Sequence, residues 1–328
     1  MKNLEQILEK YYWENDPIIL GCSTGPDSMY LLYKILETKY AKNLVACYFN
    51  HKLRPEADDE EIFLENLAKE KWFQVEIADA DIKSIKERLY PNKGIEEVAR
   101  EKRYAFFSAV CQIHETNKVI LAHHLDDKIE TFFFNLTRWS KLTGLINMTE
   151  FSGWIIRPLL DLSKSDILDY LNENNLKYSI DETNTDTTIT RNYIRHEIVP
   201  KFDRVNSNYK ENISNMMKYL EEVKHHLDNE VTDFLEEQWV EIFNSKKYKI
   251  NTLEIYWYFY IEAFNKLSDL LQREVIRHCY YITNWNSTIW LSEANIAEII
   301  RFINGKNNKT EKQIWQLKMK KENTIIIF

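Results

Sequence analysis

Along the first 125 residues the apolar positions switch repeatedly between two periods. Short apolar runs at Ile18–Cys22, Leu44–Asn50, Phe73–Ala78 and Val119–Ala122 have strand character. Between and after them, apolar residues recur at helical spacing over Ser28–Glu37, Glu56–Lys71, Ile95–His114 and Leu125–Leu136. Such alternation predicts an α/β fold, a mainly parallel, doubly wound sheet with helices on both faces. Ligands in these sheets bind beyond the carboxyl ends of the strands. The turns after Cys22, Asn50 and Ala122 are therefore expected to share one rim.

Further on, the pattern predicts a strand at Trp154–Arg157 and a helix over Asp166–Asn174, with Ser163 and Asp166 spaced as an N-cap and acidic first turn. Ser207–Phe243 reads as one long helix or a pair of helices. From residue 246 the chain is aromatic-rich, with helices expected near Thr252–Phe264 and Ser268–Tyr281. Gln313–Met319 and Asn323–Phe328 alternate and are expected to pair across Lys320–Glu322. The expected division is a catalytic domain over 1–205, a helical connector over 206–245 and a small α+β domain over 246–328.

Composition narrows the function classes. With 328 residues and 44% hydrophobic content there is material for two packed domains. A net charge of −8 argues against a general polyanion binder, although a local basic face is compatible with it. Cys22, Cys47, Cys111 and Cys279 are scattered and form no C-x-x-C pair, which disfavours a zinc or iron–sulfur site built on such pairs. The first ten residues read as a charged amphipathic helix and no apolar run is long enough to span a bilayer, so a cytoplasmic chain is expected.

The candidate chemistry falls in the turns. Ser23-Thr24-Gly25-Pro26-Asp27-Ser28 joins an apolar strand to a helix, where unpaired backbone N–H groups and the helix dipole make an anion site. A serine-rich turn that merely caps the helix would look similar. After the second strand, His51 and Arg54 can reach phosphate or ribose. Arg100 and Arg103 share a helix face and suit a bidentate phosphate grip. His123, Asp126, Asp127 and Glu130 open the helix after the fourth strand; the cluster is oxygen-rich and suits Mg²⁺ or an ammonium group. Arg191 and Arg195 are spaced to hold a nucleotide or an RNA backbone.

The hexapeptide resembles the S-G-G-x-D-S loop of the PP-loop ATP pyrophosphatases, with Thr24 in place of the first glycine. At positive φ a β-branched residue there would be strained by roughly 1–2 kcal/mol. The segments together resemble one family, the tRNA(Ile)-lysidine synthetases, over residues 16–202. Asn50-His51 with Leu53-Arg54-Pro55 matches N-H-x-L-R-P, and Ala99-Arg100 with Arg103-Tyr104 matches A-R-x-x-R-Y. Ala122 through Asp127 with Glu130-Thr131 matches A-H-H-x-D-D-x-x-E-T. Arg157-Pro158-Leu159-Leu160, Asp181 through Asn184, and Arg191-Asn192 with Arg195-His196 follow in order. Trp139 and Lys141 replace glycines of the family pattern beside Arg138, and Lys128 replaces its usual glutamine.

The resemblance implies that ATP adenylates the C2 oxygen of the first anticodon cytidine of a tRNA(Ile), after which free lysine attacks C2 and AMP departs. Ser23, Thr24, Gly25, Pro26, Asp27 and Ser28 would hold the phosphates, with His51, Arg54, Arg100 and Arg103 in support. Asp27 and Asp127 would meet Mg²⁺. Asp126, Asp127 and Glu130 would bind the lysine ammonium or the metal, and His123 would assist proton removal. Arg138, Asp181, Asn184, Arg191, Asn192 and Arg195 would face the tRNA. The tail lysines, Lys306, Lys309, Lys312, Lys318, Lys320 and Lys321 around Trp315, would add RNA contacts. A tRNA thiolase on the same ATP loop and a non-catalytic nucleotide-binding module are the alternatives.

Overall fold

The structure is a computed structural model that describes residues 4–54, 56–138, 142–146, 148–179, 190–244, 258–283, 291–306, 309–314, 317–322 and 324–327. It divides into two compact units, Met1–Lys218 and Tyr219–Phe328.

The first unit is built on a six-stranded sheet in the order β3-β2-β1-β4-β6-β5. Its strands are β1 (Ile18–Gly21), β2 (Leu44–Asn50), β3 (Gln74–Asp79), β4 (Val119–Leu121), β5 (Phe151–Ser152) and β6 (Ile155–Ile156). All pairings are parallel except β5 with β6. Side chains alternate across a strand, so β1 sends Ile18 and Leu20 to one face and Ile19 to the other. The first face packs on α1 (Leu4–Tyr11), α2 (Pro26–Leu36), α3 (Glu56–Lys71) and, further on, α8 (Lys164–Glu173), through Leu8, Leu31, Leu64 and Ile167. The second packs on α5 (Ile95–Ile113) through Phe107 and Val110. The doubly wound expectation is borne out, and the strand order reverses between β1 and β4, the place where such sheets open a crevice.

Short elements of this unit escape the apolar pattern, and two of them show why. The first is α4 (Ile82–Leu89), which starts because Asp81 accepts from the Ser84 N–H at 3.0 Å. The second is β5, too short to show a period. The helix expected from Asp166 begins at Lys164, with Ser163 as N-cap and Asp166 three residues on in a capping box. Next along the chain come α6 (Leu125–Leu136) and α7 (Leu142–Leu145). After α8 lies α9 (Thr190–Tyr193), which runs into a π-helical turn over Ile194–Ile198, then α10 (Tyr209–Asn244). The segment expected as one or two helices is thus a single helix.

The second unit carries an antiparallel sheet, β7-β10-β9-β8, formed by β7 (Tyr258–Tyr260), β8 (Lys309–Ile314), β9 (Leu317–Glu322) and β10 (Ile325–Ile327). It packs on α11 (Ile261–Lys266), α12 (Asp269–Thr283) and α13 (Glu293–Ile303). Two expectations need correction. Of the helix expected near Thr252–Phe264, residues 252–257 lie outside the described residues, Tyr258–Tyr260 is strand β7, with Phe259 buried in the core, and Ile261–Phe264 is helical as the start of α11. The turn placed at Lys320–Glu322 lies inside β9, whose Leu317, Met319 and Lys321 all face inward. Buried Lys321 donates to the carbonyl of Ile303 at the end of α13, where a cation complements the helix dipole. Lys312 pairs with Glu298 and Lys320 with Glu322, so these tail lysines are already engaged; Trp315 lies outside the described residues.

Gly21 ends β1 where a Cβ would stand 2.5 Å from Leu121 and 2.8 Å from Phe107, both buried. Gly21→Ala should therefore cost about 1–3 kcal/mol through overpacking, read as a lower urea midpoint with unchanged slope. An unshifted midpoint would mean that this seam is loosely packed.

Candidate active site

Helices start at the carboxyl rim after each parallel strand, and the termini of α2, α6 and α8 are not equivalent. The N-terminal N–H groups of α6 and α8 have acceptors from their own chain neighbourhood. His124 N–H donates to Asp127 Oδ2 at 3.1 Å, Ser163 N–H to Asp166 Oδ2 at 3.1 Å, and Lys164 N–H to Asp126 Oδ2 at 2.7 Å. At α2 the N-cap is Gly25, with Pro26 next, and among the described residues no side chain caps the terminus. An uncapped terminus of this kind can donate hydrogen bonds to an external anion. The loop before it is held from within: Ser28 Oγ accepts from Ser23 N–H at 3.1 Å and donates to the Gly25 carbonyl at 3.0 Å. Thr24 takes φ 58° and is buried, its hydroxyl donating to the Ser23 carbonyl at 2.6 Å. The left-handed conformation that strains a β-branched residue is thus adopted, and the Thr24 hydroxyl is spent on the loop's own backbone. Ser179 N–H clamps the Thr24 carbonyl at 2.9 Å. Beneath the loop, burial pushes the Cys22 thiol up to about 11, so it stays protonated.

The centre of the rim is His124, a residue to which the motifs assign no role. It is buried, with Nε2 3.4 Å from Asp127 Oδ2 and 3.6 Å from Asp27 Oδ1, and Nδ1 3.7 Å from Asp126 Oδ2. Burial disfavours its charged form, but the carboxylates of Asp126, Asp127 and Asp27 outweigh that, and its pKa is raised. Each carboxylate also has a cationic neighbour. Lys164 Nζ lies 2.6 Å from Asp27 Oδ1, and Lys210 Nζ 2.6 Å from Asp126 Oδ1. Arg191 and Arg195 both reach Asp127 Oδ1, at 3.3 and 3.4 Å, and both grip Glu130, at 3.1 and 2.6 Å. For Asp126 and Asp127, burial alone would raise the pKa; these partners more than offset it and hold both carboxyls ionised.

Around several of the motif residues the structure shows partners within the chain. Asp127, expected to meet Mg²⁺, has its two oxygens engaged by the two guanidiniums and the His124 N–H. Glu130, expected to meet the lysine ammonium or the metal, is buried under Arg191 and Arg195. Those arginines, expected to face RNA, are drawn in by the carboxylates, while Asn192 is buried between them in the chain. Arg54 is taken up by buried Glu60 at 3.2 Å. Arg138 is exposed over the Phe134 ring, outside the cluster. Asp181, Asn184, Pro55, Trp139 and Lys141 lie outside the described residues. Lys164 and Lys210 belong to the site yet are invisible in the sequence, because lone lysines outside the matched motifs carry no signal of their own.

Beside the carboxylate cluster lies a basic one. Arg100 stacks on Tyr104, 4.5 Å from the ring centroid, and Arg103 also lies over that ring. His51 Nδ1, Tyr104 OH, His123 Nδ1 and Arg157 Nε are buried without a hydrogen-bond partner among the described residues. Burial, with Arg103 and Arg54 nearby, lowers the His51 pKa to about 4. Burial, with Arg157, Arg191 and Arg100 working against Asp127, does the same for His123. Both imidazoles are neutral at pH 7, and a set of orphaned buried donors and acceptors marks a place where a polar ligand fits.

Three histidines on one rim should therefore titrate apart. In an NMR titration, His124 should have a midpoint above the ordinary 6.5 or so, and His51 and His123 midpoints near 4. The linkage signs differ. The stability contributed by His124 is fully present below about pH 6.5 and lost as pH rises through its raised pKa, whereas neutral His51 and His123 lose stability as pH falls from about 6.5 towards 4. Three coincident midpoints would contradict this electrostatic picture. Separately, Glu130→Ala leaves two guanidiniums without this carboxylate, and since their side chains are 41% and 33% exposed, water softens the loss. Calorimetric or urea unfolding should show about 1–3 kcal/mol of destabilisation.

Comparison with known proteins gives this geometry a family. A PP-loop domain family model matches residues 1–202. A tRNA(Ile)-lysidine synthase of Thermosipho africanus is 31% identical over 287 residues, 84% of this chain and 65% of that protein. One from Bacillus licheniformis is 31% identical over 68% of this chain and 48% of its own length. The bifunctional protein TilS/HprT of Listeria innocua is 32% identical over 69% of this chain and 37% of its length. The chain thus spans about a third to two thirds of these curated relatives. Among solved structures, the U34-tRNA thiolase NcsA of Methanococcus maripaludis with its 4Fe-4S cluster superposes with TM-score 0.54 at 16% identity, covering 67% of this chain and 77% of that one, a likeness of fold alone. On that match over residues 1–202, more than half of its length, the chain belongs to the PP-loop domain family.

Proposed function

We propose that the protein ligates lysine to C2 of the wobble cytidine of a tRNA(Ile), using ATP and releasing AMP and pyrophosphate. The observation that carries this reading is the uncapped α2 terminus, whose Asp27 lies 3.6 Å from His124, together with the unpartnered buried polar atoms of His51, Tyr104, His123 and Arg157. A triphosphate entering the rim meets the Ser23–Ser28 backbone and the free N–H groups of α2. The C2 oxygen of the cytidine forms a bond to the α-phosphorus, and the bond to the β-phosphate oxygen breaks, the electron pair leaving with pyrophosphate. Lysine nitrogen then bonds to C2 as AMP departs. His123, neutral at pH 7 with Nδ1 unpartnered among the described residues, would accept a hydrogen bond from the incoming amine, which must arrive without its extra proton.

Magnesium suits part of the expected set. Asp27 is partly open and brings a hard carboxylate oxygen beside the phosphate loop, a donor that Mg²⁺ takes together with phosphate oxygens. Asp127, held by Arg191, Arg195 and the His124 N–H, would have to exchange partners to join it. The ion would neutralise charge on the departing pyrophosphate. In the unit Tyr219–Phe328, exposed Lys306 and Lys318 are the residues we assign to extra contacts with the RNA backbone.

The test is lysine-dependent AMP formation on a tRNA(Ile) transcript with cytidine at the first anticodon position. Activity should require both lysine and tRNA, and Asp27→Ala should lower it roughly 10²–10³-fold, the size seen when a preorganised electrostatic contact is removed. Incorporation of sulfur in place of lysine would select the thiolase reading. Folded protein that yields no AMP would leave a nucleotide-binding module.

A further inference from the structure

The turn between β6 and α8 supplies a residue that the mechanism above does not use. Lys164 is the first residue of α8, its backbone fixed by the Ser163 cap and by its own N–H on Asp126. From that fixed base its ammonium reaches Asp27 Oδ1, at the one helix terminus, among the rim termini of α2, α6 and α8, that no described side chain caps. The Lys164 side chain is 35% exposed, open enough to change partners. A lysine is a compact point charge on a flexible stem, suited to such an exchange where a guanidinium fork is not.

We propose that Lys164 is a pyrophosphate-contacting residue, whose ammonium passes from the Asp27 carboxylate to the β- and γ-phosphates when ATP enters. This rests on the reading of the rim as an ATP-cleaving site and adds the group that holds the leaving half. With the amine on Asp27, the carboxylate is neutralised and the loop stays closed around its own hydrogen bonds. A polyphosphate is a stronger partner than one carboxylate, so the ammonium moves with it. As the bond from the α-phosphorus to the bridging oxygen breaks, the electron pair stays on that oxygen, and the ammonium offsets the charge that the departing pyrophosphate gains. The same movement uncovers Asp27 Oδ1, the atom best placed to meet magnesium. Binding of the leaving group and release of the metal ligand are thereby one event.

The direct measurement is calorimetric titration of the full chain with inorganic pyrophosphate, and in parallel with AMP. Lys164→Gln should weaken pyrophosphate by about tenfold or more, Lys164→Arg by no more than about threefold, and AMP binding should be unchanged in both. Asp27→Asn should tighten pyrophosphate when magnesium is left out, and that gain should shrink in the Asp27→Asn, Lys164→Gln double variant. In turnover, Lys164→Gln should lower kcat for AMP formation more than it raises KM for ATP. Pyrophosphate bound by Lys164→Gln as tightly as by the wild type overturns the proposal. So does an equal loss for AMP, which would mark a distorted loop. The titration needs neither tRNA nor lysine, so its outcome for Lys164 is separate from the identity of the ligated product.

Discussion

Three carboxylates converge on one buried imidazole. Asp27, Asp126 and Asp127 all approach His124, at the point where the strand order reverses between β1 and β4. Like charges this close, partly out of water, are tolerated only with compensation. The sheet alone cannot provide it. Lys164 comes from the start of α8, Arg191 and Arg195 from α9 and its π turn, and Lys210 from the start of α10. The chain beyond the sheet is thus drawn back by charge, and a ring stack of Phe133 on Phe202 on Tyr209 fixes the approach of Lys210 by packing. The acidic cluster is the electrostatic tie that closes the first unit.

That closure separates the rim into two halves with different readiness. On the acidic half each carboxylate already has its cation, so any substrate cation must exchange with a resident one. On the basic half the polar groups of His51, Tyr104, His123 and Arg157 are desolvated without reward. Orphaned buried groups cost about 1–3 kcal/mol each, and the natural way to recover that cost is ligand binding. Anionic and polar parts of a substrate should therefore bind readily, while a cationic part competes. Such an order suits a reaction in which a triphosphate must be in place before an amine is admitted.

The sheet is legible in the sequence because its signal is periodic and local. Leu44–Asn50, Glu56–Lys71 and Leu125–Leu136 have the bounds that their apolar pattern implies. The rim is legible too, since motif residues follow the strand ends. What the sequence hides is pairing. Asp127 and Glu130 look like open ligands until arginines about sixty residues later are seen to hold them, and no period in the chain encodes that distance. His124 is hidden beside His123 because the two are chemically identical in a string, and only the backbone turn decides which is buried among carboxylates. In the second unit, Tyr258–Tyr260 reads as helix in the sequence since a three-residue strand gives a period no room to show.

Thr24 bears on whether the site is active or vestigial. Its φ of 58° costs a β-branched residue about 1–2 kcal/mol that glycine would not incur. One hydroxyl bond to Ser23 and one clamp from Ser179 hold it there. The substitution therefore changes the loop's energy more than its shape: Gly25 still caps α2 in extended conformation, and Ser28 still braces the turn. A loop that had merely lost its ligand would be free to relax out of the left-handed region. Instead, strain at Thr24, orphaned polar groups at His51 and Arg157, and an uncapped helix terminus coincide on one rim. Strain of this kind persists where the surrounding structure over-determines it, and such places cluster at binding sites. The energetics thus favour a site kept in working geometry over one that decayed.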